Sequence, residues 1–273
     1  MLRRVLTALV LAAVGLPALI YGGLFYFVLV VLVLAGAARE YVQLYRAVQY
    51  EPSELITLGG VLVIATARFF FASIAIPAFI LSVLVAMVVH LAAFERGRNQ
   101  AGLDFAVTVA GIVYVGWIGS YLLDLRALPE DGVWWWLLVL AIVWAGDTGA
   151  YSIGAAYGKH KMTPRLSPKK SWEGYFAGVF TSVLIGAFLA YAFSSLGPRP
   201  LRELIDPIRG GLLGLVIGAL VPLGDLGESM LKRQGGLKDS SNIFPGHGGF
   251  LDRIDSWIWG AVIGYFLIQF FIL

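Results

Sequence analysis

Between Ser229 and Asp255 the chain reads SMLKRQGGLKDSSNIFPGHGGFLDRID. Four bases (Lys232, Arg233, Lys238, Arg253), three acids (Asp239, Asp252, Asp255) and a His-Gly-Gly triplet (His247, Gly248, Gly249) crowd into this one stretch. Asp225, Glu228 and Ser229 follow i, i+3, i+4 spacing, which on a helix turns their oxygens to one face, and Asp252 and Asp255 repeat the i, i+3 relation. Carboxylates this close repel one another unless a cation neutralises them. An all-oxygen set suits a hard ion, and Mg²⁺ typically takes about one or two carboxylates together with substrate phosphates. Gly246, Gly248 and Gly249 allow backbone conformations whose N–H groups could cradle an anion. A merely solvated charged loop fits poorly with acids entering the end of an apolar run.

Two other polar groups stand out. Asp147, in VWAGDTGAYSIG, is an ionisable residue inside an apolar run, which suggests a functional site by default. Tyr151 shares its helix face, and Gly146, Gly149 and Gly154 thin the helix so that a neighbour can approach. Asp147 could equally be a hydrogen-bonding contact between helices. The loop KHKMTPRLSPKKSWEG, Lys159 to Gly174, holds five bases within twelve residues. It reads either as a patch for anionic lipid headgroups or as a phosphate clamp, with Lys169 and Lys170 as mobile point charges. Ser171 is placed to cap the helix that follows, with Glu173 in its first turn.

The elements that must position these groups are membrane helices. The 273 residues are 59% hydrophobic and 14% charged, against about 45–50% and about 25% in a soluble domain. Continuous apolar runs approach the roughly 20 residues that a helix needs to cross the hydrocarbon core, and they do not alternate as barrel strands do. Nine such spans are expected, near 5–21, 23–45, 55–72, 74–94, 103–123, 133–156, 173–195, 208–231 and 254–272. The apolar run after Met-Leu-Arg-Arg reads as a retained first helix rather than a signal peptide. With the N-terminus cytoplasmic and the C-terminus outside, 15 of the 20 basic residues fall on the cytoplasmic side. This is an all-α polytopic membrane protein by expectation, with cytoplasmic loops 157–172 and 232–253. Residues 1–132 read as scaffold and 133–273 as the chemical part. Glu40 and Arg39 are expected to snorkel or pair locally, His90 to be a hydrogen-bonded interior histidine, and Trp134, Trp135 and Trp136 to form an interfacial belt. The chain has no cysteine, which excludes disulfides and thiolate chemistry.

Carboxylates for a metal, bases for phosphates and helices open to lipid together suggest phosphoryl or nucleotidyl transfer to a lipid. No Walker A pattern is present, so a nucleotide would be held without a P-loop. These features leave the nucleotide and the lipid open.

The stretch resembles the signature of the phosphatidate cytidylyltransferase (CDP-diacylglycerol synthase) family. In that pattern Ser, two residues, Lys-Arg, four residues and Lys-Asp are followed by Pro-x-His-Gly-Gly and Asp-Arg-x-Asp. Here these are Ser229, Lys232, Arg233, Lys238, Asp239, Pro245, His247, Gly248, Gly249, Asp252, Arg253 and Asp255. DTGAY (Asp147 to Tyr151) and SPKKSWEG (Ser167 to Gly174) also look like family segments, with Ser171 where Thr is commoner. The likeness covers roughly the second half of the chain.

The resemblance implies that CTP and phosphatidate give CDP-diacylglycerol and pyrophosphate with Mg²⁺, at the cytoplasmic face of a bacterial inner membrane. Asp225 and Asp252 are expected to hold the metal, with Asp255, Glu228 and Asp147 as further ligands or as orienters of bases. Lys232, Arg233, Lys238 and Arg253 would neutralise phosphates, and Lys169 and Lys170 would guide one anionic substrate. Ser171, Ser229, Asp239, Gly248 and Gly249 join the substrate side, and His247 shapes the anion-binding turn. A second, monovalent cation and a homodimer stay open; membrane lipid is a partner and nucleic acid is not. The rival readings are a CTP-dependent polyprenol kinase, which would release CDP, and an ion-coupled transporter with Asp147, Asp225 and Glu228 along its path.

Overall fold

The computed structural model describes residues 2–129, 132–197, 199–237, 239–241, 243–244 and 248–273, with backbone alone at 2–6, 8 and 199–201. Lys238 and His247, both expected in the site, lie outside the described residues, as do Pro245 and Gly246. The helices are α1 (Leu2–Tyr21), α2 (Gly23–Arg46), α3 (Glu54–Phe70), α4 (Ala75–Glu95), α5 (Ala101–Gly111), α6 (Tyr121–Arg126), α7 (Gly132–Tyr157), α8 (Trp172–Leu196), α9 (Arg199–Leu204), α10 (Pro207–Leu220), α11 (Pro222–Gln234) and α12 (Leu251–Phe271). Between α7 and α8 lies a small antiparallel hairpin, β1 (Lys161–Thr163) and β2 (Ser167–Ser171), with Lys161 opposite Ser171 and Thr163 opposite Ser167.

Among the described residues, seven helical stretches are long and apolar enough to cross a membrane: Gly23–Arg46, Ala72–Glu95, Ala101–Arg126, Gly132–Tyr157, Trp172–Leu196, Pro207–Gln234 and Leu251–Phe271. α1 adds a shorter apolar stretch, Leu9–Tyr21, and α3 has 17 residues. The protein is all-α and polytopic, as its composition requires, because in lipid each backbone polar group must be satisfied within its own segment. Helix starts follow their capping residues. Ser53 accepts from Ile56 N–H, Ser171 from Gly174 N–H, and Asp206 from Ile208 and Arg209 N–H with Pro207 next in line.

The described chain forms two compact units, Met1–Asp124 with Leu231–Ile254, and Leu125–Met230 with Asp255–Leu273. In the first unit α3 lies among α2, α4 and α5, where Gly60 meets the Ile112 side chain and Gly111 meets Tyr41 and Thr57. Several of its polar groups are paired. Asp104 is held by Arg98 and by Glu51 N–H at 2.7 Å, and Arg68 pairs with Asp124 while lying 4.1 Å from the Trp117 and Tyr121 ring centres. His90 is interior and its Nε2 lies 2.8 Å from Thr108 Oγ1, as expected of an apolar-helix histidine.

In the second unit α8 packs against both α7 and α10 through glycine. A side chain at Gly146 would strike Ser182, one at Gly149 would strike Thr181, and one at Gly214 would strike the Ser182 carbonyl. The thinning expected of Gly146 and Gly149 thus serves helix contact, as in other membrane bundles. Trp135 and Trp136 correct the aromatic-belt expectation. Both are buried, with Trp136 edge-on to Trp257 at 5.7 Å, and only Trp134 keeps partial exposure.

Because the neighbour at Gly214 is backbone, Gly214→Val has nowhere to relax. Overpacking of this kind costs about 1–3 kcal/mol. The variant should melt clearly below wild type in detergent. Gly59→Ala, where a Cβ meets open space, should melt as wild type does.

Candidate active site

Two polar clusters form, one in each unit. In the second unit α11 begins at Pro222 and turns Asp225, Glu228 and Ser229 to one side, while Asp255 projects from α12. One carboxylate oxygen from each of Asp225, Glu228 and Asp255 lies within 4.8 Å of the others. Gly224 makes the approach possible, since a Cβ there would press on the Trp259 ring and the Asp255 carbonyl. Glu228 is buried; Asp225 and Asp255 are half-buried. Lys170, from the end of the hairpin, donates to Asp225 Oδ2 at 2.8 Å and to the Pro222 carbonyl at 3.3 Å. Ser229 Oγ donates to Asp225 Oδ1 at 3.3 Å, and Asp255 Oδ1 accepts from Ser256 N–H at 2.6 Å. Asp147 is exposed and lies within electrostatic reach of Asp225 and Lys170, but it is not one of the three clustered acids. The three carboxylates, with the Lys170 ammonium on Asp225, form an all-oxygen donor set, which fits a hard divalent cation.

The hairpin that carries Lys170 is anchored to the helix it leads into. Ser171 is buried and caps α8, as expected. Glu173 in the first turn accepts from the backbone N–H groups of Lys159 and His160 at 3.2 Å and sits 2.6 Å from His160 Nδ1. Lys159, Lys161, Arg165 and Lys169 are left exposed along the hairpin.

In the first unit the acids are answered by donors instead. Asp252 Oδ1 pairs with Lys232 Nζ at 2.6 Å. Its Oδ2 accepts from Ser240 N–H at 2.8 Å, Ser240 Oγ at 2.6 Å and Gly249 N–H at 2.9 Å. Asp252, expected as a metal ligand, is buried with these four donors, and Lys232, expected to meet phosphate, is buried at its side. Arg233, Asp239 and Arg253 are exposed.

The glycine turn likewise meets groups of the protein itself. Gly249, Phe250 and Leu251 do present N–H groups to anions, but those anions are the protein's own Asp252 and Glu40 carboxylates. Gly248 has φ +78°, and a side chain at Gly249 would run into the Glu40 carboxylate.

Glu40 is the residue that sequence reasoning missed. Placed beside Arg39 near a helix end, it reads as a snorkelling surface acid. Instead it is buried and its partners lie some 200 residues away, while Arg39 faces Glu54. The signal was present: Glu40 is an acid flanked by an apolar run, the same criterion that singled out Asp147.

Comparison with known proteins adds the family. The pattern of the Cytidylyltransferase family matches residues 2–271. The phosphatidate cytidylyltransferase of Synechocystis is 32% identical over 97% of this chain and 96% of its own length. That of Staphylococcus epidermidis is 32% identical over 93% and 94%. That of Haemophilus influenzae reaches 44% over 53% of this chain and 49% of its own.

Breaking a buried ion pair by removing one partner costs about 3–5 kcal/mol. Lys232→Met should therefore lower the melting temperature in detergent sharply. Lys169→Met, at an exposed position, should not. Equal melting of the two would refute the structural role given to the Lys232–Asp252 pair.

Proposed function

The chain belongs to the cytidylyltransferase family, and from that membership we propose that it is a phosphatidate cytidylyltransferase, converting CTP and phosphatidate to CDP-diacylglycerol and pyrophosphate. The observation that carries this reading is the likeness to the Synechocystis enzyme over nearly the full length of both chains. In the reaction a phosphatidate oxygen bonds to the α-phosphorus of CTP and the bond to the bridging oxygen breaks, so that pyrophosphate leaves with the electron pair. The attacking phosphate is already anionic, so no general base is required.

The residues supply positioning and charge. Asp225, Glu228 and Asp255 would hold a divalent cation, proposed to be Mg²⁺, as their shared oxygen set supports. When bound, such an ion neutralises phosphate charge at the reacting centre. Lys170 brings a positive charge to Asp225 and, on its flexible stem, can shift to a substrate phosphate. Arg233, Arg253 and Lys169 are exposed cations suited to the remaining phosphate oxygens, and Lys238 keeps the same proposed role. Asp147 orients Lys170, and His247 shapes the turn that Gly248 and Gly249 complete. The basic-residue asymmetry supports a nine-span arrangement with the N-terminus and this chemistry on the cytoplasmic side of a bacterial inner membrane.

Purified protein given CTP, phosphatidate and Mg²⁺ should release pyrophosphate in step with CDP-diacylglycerol, and EDTA should stop both. Asp225→Asn should reduce turnover at least 100-fold while the protein still melts as wild type does. CDP without pyrophosphate would instead identify a CTP-dependent kinase. Normal turnover in a folded Asp225→Asn protein would remove the metal assignment.

A further inference from the structure

We infer that Glu40 is a positioning residue for this reaction, a carboxylate of α2 that holds the glycine turn and the start of α12 in the conformation that substrate binding requires. The inference rests on the cytidylyltransferase reading. Glu40 is 2% exposed. Its Oε1 accepts from Ser241 Oγ at 2.6 Å and Phe250 N–H at 3.0 Å, and its Oε2 accepts from Ser240 Oγ at 2.8 Å and Leu251 N–H at 2.8 Å. Three of these donors serve Glu40 alone and the single Ser240 hydroxyl proton is shared with Asp252 Oδ2, so each Glu40 oxygen faces an N–H and neither is placed to be a donor itself.

Phe250 and Leu251 open α12, so Glu40 does from 210 residues away what a capping side chain usually does from within the turn. A negative charge at a helix N-terminus is also favoured by the helix dipole. The approach is tight on both sides. Gly249 has no room for a side chain because the Glu40 carboxylate occupies it, and the Phe250 ring lies on Gly36, one turn before Glu40 on α2.

The anchor extends to the buried Lys232–Asp252 pair and to Arg253, a base proposed above to meet phosphate. The Ser240 hydroxyl stands within reach of both Glu40 and Asp252, and Asp252 in turn holds Lys232. Arg253, next along α12, is exposed and takes its direction from the helix start that Glu40 fixes. Glu40 touches no reacting atom in this scheme. It acts through the turn.

The test uses the full-length protein in detergent. Glu40→Gln keeps the size but turns an amide NH₂ toward either Phe250 N–H or Leu251 N–H. The serine hydroxyls can rotate to accept from it, whereas a backbone N–H cannot. Hydrogen exchange followed by mass spectrometry should show at least tenfold faster exchange over 248–251, with no change across α8. The KM for CTP or for phosphatidate should rise at least fivefold; a merely smaller folded fraction would leave both KM values where they were. Ser241→Ala should shift exchange and KM in the same direction by less, and should add nothing to Glu40→Gln. If Glu40→Gln fails to fold, Ser241→Ala carries the test alone. Unchanged exchange would overturn the inference, and so would faster exchange with both KM values unmoved. Wild-type protein that makes no CDP-diacylglycerol would overturn the cytidylyltransferase reading instead, and the exchange data would then report on the Glu40 anchor by themselves.

Discussion

A carboxylate removed from water must be met by donors or by positive charge, and that requirement shapes both polar clusters of this protein. Glu40 and Asp252 are deeply buried in the first unit, and between them they gather the N–H groups of Ser240, Gly249, Phe250 and Leu251. Three of these amides, those of Gly249, Phe250 and Leu251, stand at the head of α12, where donors would otherwise go unanswered. The acids and the turn satisfy each other, so neither is optional. The glycines follow from this: only a residue without a side chain lets the Glu40 carboxylate come as close as it does at Gly249.

The second unit meets the same requirement with charge. Asp225, Glu228 and Asp255 face one another, and the ammonium of Lys170 lies on Asp225. Small residues again set the distances. Gly224 lets the Asp255 backbone approach, and Gly146, Gly149 and Gly214 allow α7, α8 and α10 to pack closely behind the hairpin that delivers Lys170. In a membrane, where burial of apolar surface gives little drive for helix association, such close packing is what holds polar groups in register.

Much of this was legible in the sequence. Uninterrupted apolar runs announce the helices, and the i, i+3 spacing of Asp225 and Glu228 puts both on one helix face. Ser171 and Glu173 behaved as local rules require, because a cap depends only on the few residues around it. What stayed hidden was non-local. Nothing in AGAAREYVQLY states that Glu40 will meet Ser240 and Leu251, because pairings across about 200 positions are fixed by how helices pack and not by spacing along one of them. For the same reason Asp252 looked equivalent to Asp255. Both belong to one DRID motif, yet one meets a lysine and three donors while the other meets carboxylates.

That difference separates two kinds of acid within a single signature. A carboxylate whose oxygens already accept from a lysine, a hydroxyl and two amides has little capacity left for a metal, and its effect is to hold a turn in place. A carboxylate set among other carboxylates gains most from a cation, since each added positive charge relieves repulsion as well as making a new contact. Lys170 supplies one such charge on a flexible stem that can move toward a phosphate. The Asp225–Glu228–Asp255 group is therefore suited to exchange partners during a reaction, and the Glu40–Asp252 group to resist exchanging them.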